Sequence, residues 1–131
     1  MEKILRIEET TFKTTEKDYS GYEGFQVITD EQTIKVGISS GQCCCENYGY
    51  MTTNDDLKEF EGADLISIEV VDKALNKKLI EQDNFEEEEA MFVNFNTSVG
   101  VMQLVAYNSH NGYYGHDAVL ISKQLNESES L

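Results

Sequence analysis

The sequence predicts an α+β domain, a mainly antiparallel twisted sheet of about seven strands with one or two short helices. Three observations carry this. Short apolar runs alternate with polar residues at the two-residue period of a half-buried strand. Successive runs are separated by only a few turn-forming residues, so neighbours pair as antiparallel hairpins. Proline is absent, and punctuation falls to glycine, asparagine and aspartate.

Residues 4–8 are the first expected strand. Residues 25–29 and 33–38 flank Asp30-Glu31-Gln32 and read as a hairpin. In its second arm Ile34, Val36 and Ile38 alternate with Thr33, Lys35 and Gly37. Residues 54–60 read as a short helix. Thr53 or Asn54 can cap it, Asp55 and Asp56 fill its first turn, and Gly62 can stop it. Residues 64–71 form another strand, with Leu65, Ser67, Glu69 and Val71 opposite Ile66, Ile68 and Val70. Residues 73–82 fit either a short helix or a strand extension with a loop. Residues 91–96 and 101–107 flank Thr97-Ser98-Val99-Gly100, a second hairpin. Residues 118–122 are the last expected strand. The domain is expected over residues 1–125, with 126–131 a flexible tail.

A chain of 131 residues is one domain on length and can bury about two-thirds of its unfolded surface. It needs no metal or disulfide merely to fold. The net charge of −15, from 25 acids and 10 bases, argues against direct contact with nucleic acid or an anionic membrane. It favours basic partners, or only solubility. No signal-like apolar segment or membrane-length run is visible, so a cytoplasmic location is expected. Cys43, Cys44 and Cys45 are adjacent and odd in number, a poor disulfide framework, which points to reduced thiols.

Charge is unevenly spread. Residues 54–89 carry 13 acids against Lys58, Lys73, Lys77 and Lys78. Residues 90–116 contain no Asp, Glu, Lys or Arg, and neither do residues 36–45. The charge-free stretches read as core, and the acids form a separate surface.

Four candidate chemistries follow from residue type. Cys43, Cys44, Cys45, His110 and His116 are zinc-ligand types, but adjacent cysteines on an extended chain alternate faces and the histidines are too far apart for one helical turn. No metal and no other cofactor is expected. A cysteine nucleophile with a histidine base would need an orienting group such as Asn108, Asn111 or Asp117, and no nucleophile motif surrounds the cysteines. Tyr48, Tyr50, Tyr113 and Tyr114 offer stacking faces and Asn47, Asn108 and Asn111 hydrogen-bond edges for a planar ligand, whose pocket would use Tyr48, Tyr50, Asn108, His110, Tyr113 and His116. No Walker loop or GxGxxG is present. The structural reading of the same residues is tyrosines over a sheet edge and polar side chains closing turns. Finally, Asp55, Asp56, Glu59, Glu61, Asp64, Glu86, Glu87, Glu88 and Glu89 could imitate nucleic-acid phosphates and occupy a basic groove; otherwise they are solvated surface.

Cys44-Cys45-Glu46-Asn47-Tyr48-Gly49-Tyr50 together with Tyr107-Asn108-Ser109-His110-Asn111-Gly112-Tyr113-Tyr114-Gly115-His116 resembles a family of small proteins of bacteriophages and their Gram-positive hosts. The resemblance spans about residues 24–121. It implies a phage or prophage accessory protein, and small acidic proteins of that source include inhibitors of host defence such as anti-CRISPR proteins.

The expected function is therefore a non-enzymatic inhibitor that binds a basic, nucleic-acid-handling defence effector through its acidic residues. The alternatives are a homodimeric binder of a nucleotide signal through the Tyr, His and Asn residues, and a zinc- or thiol-dependent enzyme.

Overall fold

The computed structural model describes residues 2–13, 21–39, 48–82, 85–109 and 117–131. Among them nine strands occur: β1 Glu2–Phe12, β2 Tyr22–Thr29, β3 Thr33–Ser39, β4 Tyr48–Thr52, β5 Asp64–Val71, β6 Ala90–Thr97, β7 Gly100–Asn108, β8 Asp117–Ile121 and β9 Glu127–Ser130. They form one sheet in the order β4-β7-β6-β5-β1-β2-β3-β8-β9, and every pairing is antiparallel. Among the described residues helix is confined to α1, Lys77–Gln82, and two single-turn 3-10 segments, Leu57–Phe60 and Glu87–Glu89. The α+β expectation of about seven strands is thereby corrected to an essentially all-β fold.

Three tertiary pairings account for the difference. The helix expected over residues 54–60 stops after one turn. Its cap is Asp56 in place of the expected Thr53 or Asn54, with Oδ1 accepting from the Lys58 N–H at 2.9 Å. Gly62 then adopts φ 90, a conformation open to glycine, and its N–H donates to the Ile4 carbonyl at 2.7 Å. The Ile4 N–H donates in return to the Ala63 carbonyl at 2.9 Å, so the chain is drawn into the sheet. β4 contains a glycine and little alternation, and it becomes a strand by pairing with β7. Where a tail was expected over residues 126–131, β9 pairs with β8 from Leu120↔Glu127 to Asp117↔Ser130.

β1 serves two half-sheets. Glu2 and Lys3 pair with β5, and the rest of the strand pairs with β2. The change of partner coincides with a register shift between Ile4 and Arg6. This bulge turns Ile4 and Ile7 inward and leaves Leu5 51% exposed. β5 carries a matching shift between Leu65 and Ser67, which sends Leu65 and Ile68 into the core and Ile66 out to solvent. The uninterrupted alternation read for residues 64–71 is corrected accordingly.

The two half-sheets stack face to face, β3 against β7 and β2 against β4. Between them lies the main core, with Val27, Ile34 and Val36 from one half and Val93, Phe95 and Leu104 from the other. The two-residue hairpin turn between β6 and β7 is set by Gly100 at φ 134 and by Thr97, whose hydroxyl donates to the Gly100 carbonyl at 2.6 Å. Both arms of this hairpin are buried on both faces. Phe92, Val105 and Tyr107 point away from the main core and pack under Ile80 and Phe85. The Phe85 and Tyr107 rings stack at 4.1 Å.

Gln103 ties this cover to the sheet. It is fully buried on the outer face of β7. Its Oε1 accepts from the Thr53 hydroxyl at 2.8 Å and the Leu75 N–H at 3.0 Å. Its Nε2 donates to the Lys73 carbonyl and the Asn94 Oδ1, both at 2.9 Å. All four hydrogen-bonding positions of the amide are used. Replacing it with leucine keeps much of the volume but strands several buried partners. Gln103→Leu is expected to cost about 3 kcal/mol in urea unfolding and to speed hydrogen exchange at the Leu75 amide. A loss below about 0.5 kcal/mol with unchanged exchange would rule out this role.

Candidate functional site

β4 places Tyr48 and Tyr50 on the inner face of the sheet, and β7 ends with Asn108 directly opposite Tyr48. The three described members of the expected ligand set therefore meet on one surface. Tyr50 packs edge-on to Phe25 of β2, with ring centroids 5.2 Å apart and planes at 84°. Its hydroxyl donates to the Glu9 carboxylate at 3.0 Å. Asn108 is 4% exposed and donates through Nδ2 to the Leu131 carbonyl at 3.2 Å. His110, Tyr113 and His116, like Cys43, Cys44 and Cys45, lie outside the described residues.

The described ends on either side of residues 40–47 and 110–116 lie next to one another. Ser39 accepts through Oγ from the Asp117 N–H at 2.9 Å, and Tyr48 pairs with Asn108. The described residues that flank both segments thus lie at the same end of the sheet.

The nine acids separate into two groups. Asp55, Asp56, Glu59, Glu61 and Asp64 gather at the turn end of the β6–β7 hairpin, where the Asp64 N–H donates to Ser98 Oγ at 3.0 Å. Glu86, Glu87, Glu88 and Glu89 precede β6 at its other end. At about 3.3 Å per residue, the length of β6 separates the groups by roughly 23 Å. They are two surfaces, where the sequence suggested one.

The groups also differ in duty. Asp55, Asp56, Glu59 and Glu61 are exposed, and the ion pairs among the described residues, Arg6–Glu8 and Lys77–Glu87, involve none of them. Glu87 instead serves the fold. Its Oε2 accepts from the Ala74 N–H at 2.8 Å and its Oε1 meets Lys77 Nζ at 3.3 Å. The Ala74 amide, and then Lys77, hold its carboxyl below the ordinary value. That contribution is present above the ordinary carboxylate pKa and is lost as pH falls through the depressed one. Glu86 is pushed up, chiefly by its hydrogen bond to Glu88, while Glu88 is held down, first by its own backbone amide.

A cleft of about 390 Å³ opens beside the second group, lined by Val71, Asp72, Lys73, Glu87, Glu88, Ala90 and Glu129. Sequence reasoning missed Glu129 and Asp72. The signal for Glu129 was the alternation Glu127-Ser128-Glu129-Ser130, which puts both glutamates on one side of a strand. Burial, and then Glu127, push the Glu129 carboxyl up. Among the described residues no group of His, Cys, Asp and Glu is placed to hold a metal ion, and no helix is long and apolar enough to cross a membrane.

Tyr50 offers a direct check of the inner-face geometry. Burial first, then Glu9 through its hydrogen bond and charge, and lastly Glu23 push its phenol from 10.0 to about 12. The folded state favours the protonated phenol, so its contribution is full below about pH 10 and is lost as pH rises through about 12. The ultraviolet titration of the native chain minus that of Tyr50→Phe should show a midpoint near 12. Glu9→Ala should move that midpoint down toward 10.0. An unshifted midpoint in the native chain would contradict the contact.

Neither curated proteins nor solved structures give a match to this chain. A family model does match, over residues 1–120, and the chain therefore belongs to the family described as a domain of unknown function, DUF7448.

Proposed function

We propose that the chain is a phage- or prophage-encoded, non-enzymatic inhibitor of a bacterial defence complex. It acts in the manner of an anti-CRISPR protein, by occupying the basic groove of a nucleic-acid-handling effector. One observation carries the reading. Asp55, Asp56, Glu59 and Glu61 stand exposed within a short stretch at one end of the sheet, free of ion pairs with the described cations. Carboxylates spaced along an exposed chain can replace phosphates at lysine and arginine side chains, and net charge of this size speeds encounter with a basic surface. The motif resemblance supplies the phage context.

A second reading has its own support. Tyr48, Tyr50 and Asn108 share one inner surface beside the ends of both motif segments. That arrangement suits a small planar ligand, such as a nucleotide signal, in a site shared between two copies of the chain.

The first reading predicts that expressing the chain in CRISPR-protected cells raises the plating efficiency of a targeted phage. The D55K/D56K/E59K/E61K variant should lose about tenfold or more of that effect while unfolding at the same urea concentration. Undiminished inhibition by the folded variant would remove this surface from the mechanism. The second reading predicts a retained small molecule in native mass spectra of the purified protein, absent from a Tyr48→Ala/Tyr50→Ala variant.

A further inference from the structure

We propose that the edge of β8 is a docking site for an extended, lysine- or arginine-bearing segment of a protein partner, and that β9 fills this site in cis until such a segment displaces it. The inference rests on the proposed binding of a basic partner and names a second, separate point of contact.

β9 is the last strand of the sheet and pairs only with β8; the residue after it, Leu131, packs on the main core and accepts from Asn108 Nδ2 at 3.2 Å, so release of the strand also gives up this anchor. Releasing it leaves the other eight strands paired and exposes the backbone edge of β8, whose Ala118, Val119 and Leu120 are buried. An open edge beside an apolar strand is the ordinary receptor for an added strand, with main-chain bonds giving affinity and side-chain pockets giving choice.

The present occupant is poorly matched in charge. Glu129 enters the cleft that Asp72, Glu87 and Glu88 already line, with Lys73 as the one described cation on its wall. Burial, and then Glu127, push the Glu129 carboxyl up. Glu127 lies two residues away on the same side of the strand. A strand with lysine at these two positions would turn repulsion into attraction without changing the backbone ladder.

The connection is suited to release. Ser122 closes its own turn, its hydroxyl donating to the Leu125 carbonyl at 2.6 Å and accepting from the Leu125 N–H at 2.9 Å. Asn126 Nδ2 adds a bond to the Ser122 carbonyl at 2.9 Å. These bonds stay within residues 122–126, so the turn can persist while β9 leaves. The family match ends at residue 120, within β8 and ahead of β9.

The test uses the full chain and two labelled hexapeptides, residues 126–131 unchanged and the same segment with E127K and E129K. The lysine peptide should bind about tenfold or more tightly than the unchanged one, and high salt should weaken it. Binding should speed hydrogen exchange at the β9 amides while β8 stays protected. In a chain carrying E127K and E129K the cis strand is matched, so affinity for the lysine peptide should fall and β9 protection should rise. Equal binding of the two peptides, binding that leaves β9 protected, or unchanged affinity in that chain would each overturn the proposal. Failure here with the plating effect intact would leave the proposed function standing. Loss of plating by D55K/D56K/E59K/E61K with peptide binding intact would show that the two contacts are independent.

Discussion

β1 pairs with β5 through two residues and then leaves it for β2, and the bulge at Leu5 is where one sheet becomes two facing halves. Everything else about the interior depends on that departure. Without it, Ile4 and Ile7 could not both face inward, and the half-sheet of β4, β7, β6 and β5 could not lie over that of β2, β3 and β8. The paired bulge in β5 completes the corner. Leu5 and Ile66 lie exposed there as the extra residues that the change of direction leaves over.

Facing half-sheets would bury one side of each strand. The β6–β7 hairpin goes further, because α1 and its flanking residues cover its outer side as well. Burying a charge on a strand enclosed on both faces is costly, in keeping with the lack of Asp, Glu, Lys and Arg in residues 90–108. The polar side chains that do occur there are bonded internally, Gln103 and Asn94 to each other and Gln103 also to the covering chain. Glu87 fixes the same cover from the other direction through the Ala74 amide. Acids that the sequence presents as one charged run thus divide between structural work and open surface.

Both hairpins were legible in the sequence because alternation and turn residues are local signals. Ile34, Val36 and Ile38 face the core as their spacing requires, and Gly100 takes the turn. The remaining elements depend on partners distant in sequence. Tyr48 and Tyr50 become strand residues because β7 lies beside them, and Glu127 and Glu129 because β8 does. The single turn after Asp56 ends where Ile4, more than fifty residues earlier, takes up the bonds of Gly62 and Ala63. Of the expected ligand residues, Tyr48, Tyr50 and Asn108 come together as one set, for the same long-range reason. The separation of the two acidic groups by the length of β6 is a property of the fold that no local pattern encodes.

The pairing of β3 with β8 joins residues far apart in the chain, Ile38 with Ala118. During synthesis at about 5–20 residues per second, the second edge of β3 therefore waits roughly 4–16 s for its partner to be made. Through that interval Ile34, Val36 and Ile38 form an apolar strand attached to the hairpin with β2 and open on one side. The nascent chain at this stage is a half-built sheet with a sticky margin. The acids of residues 54–89, translated next, give the unfinished product a net negative charge that opposes association of one copy with another while the last strands are made.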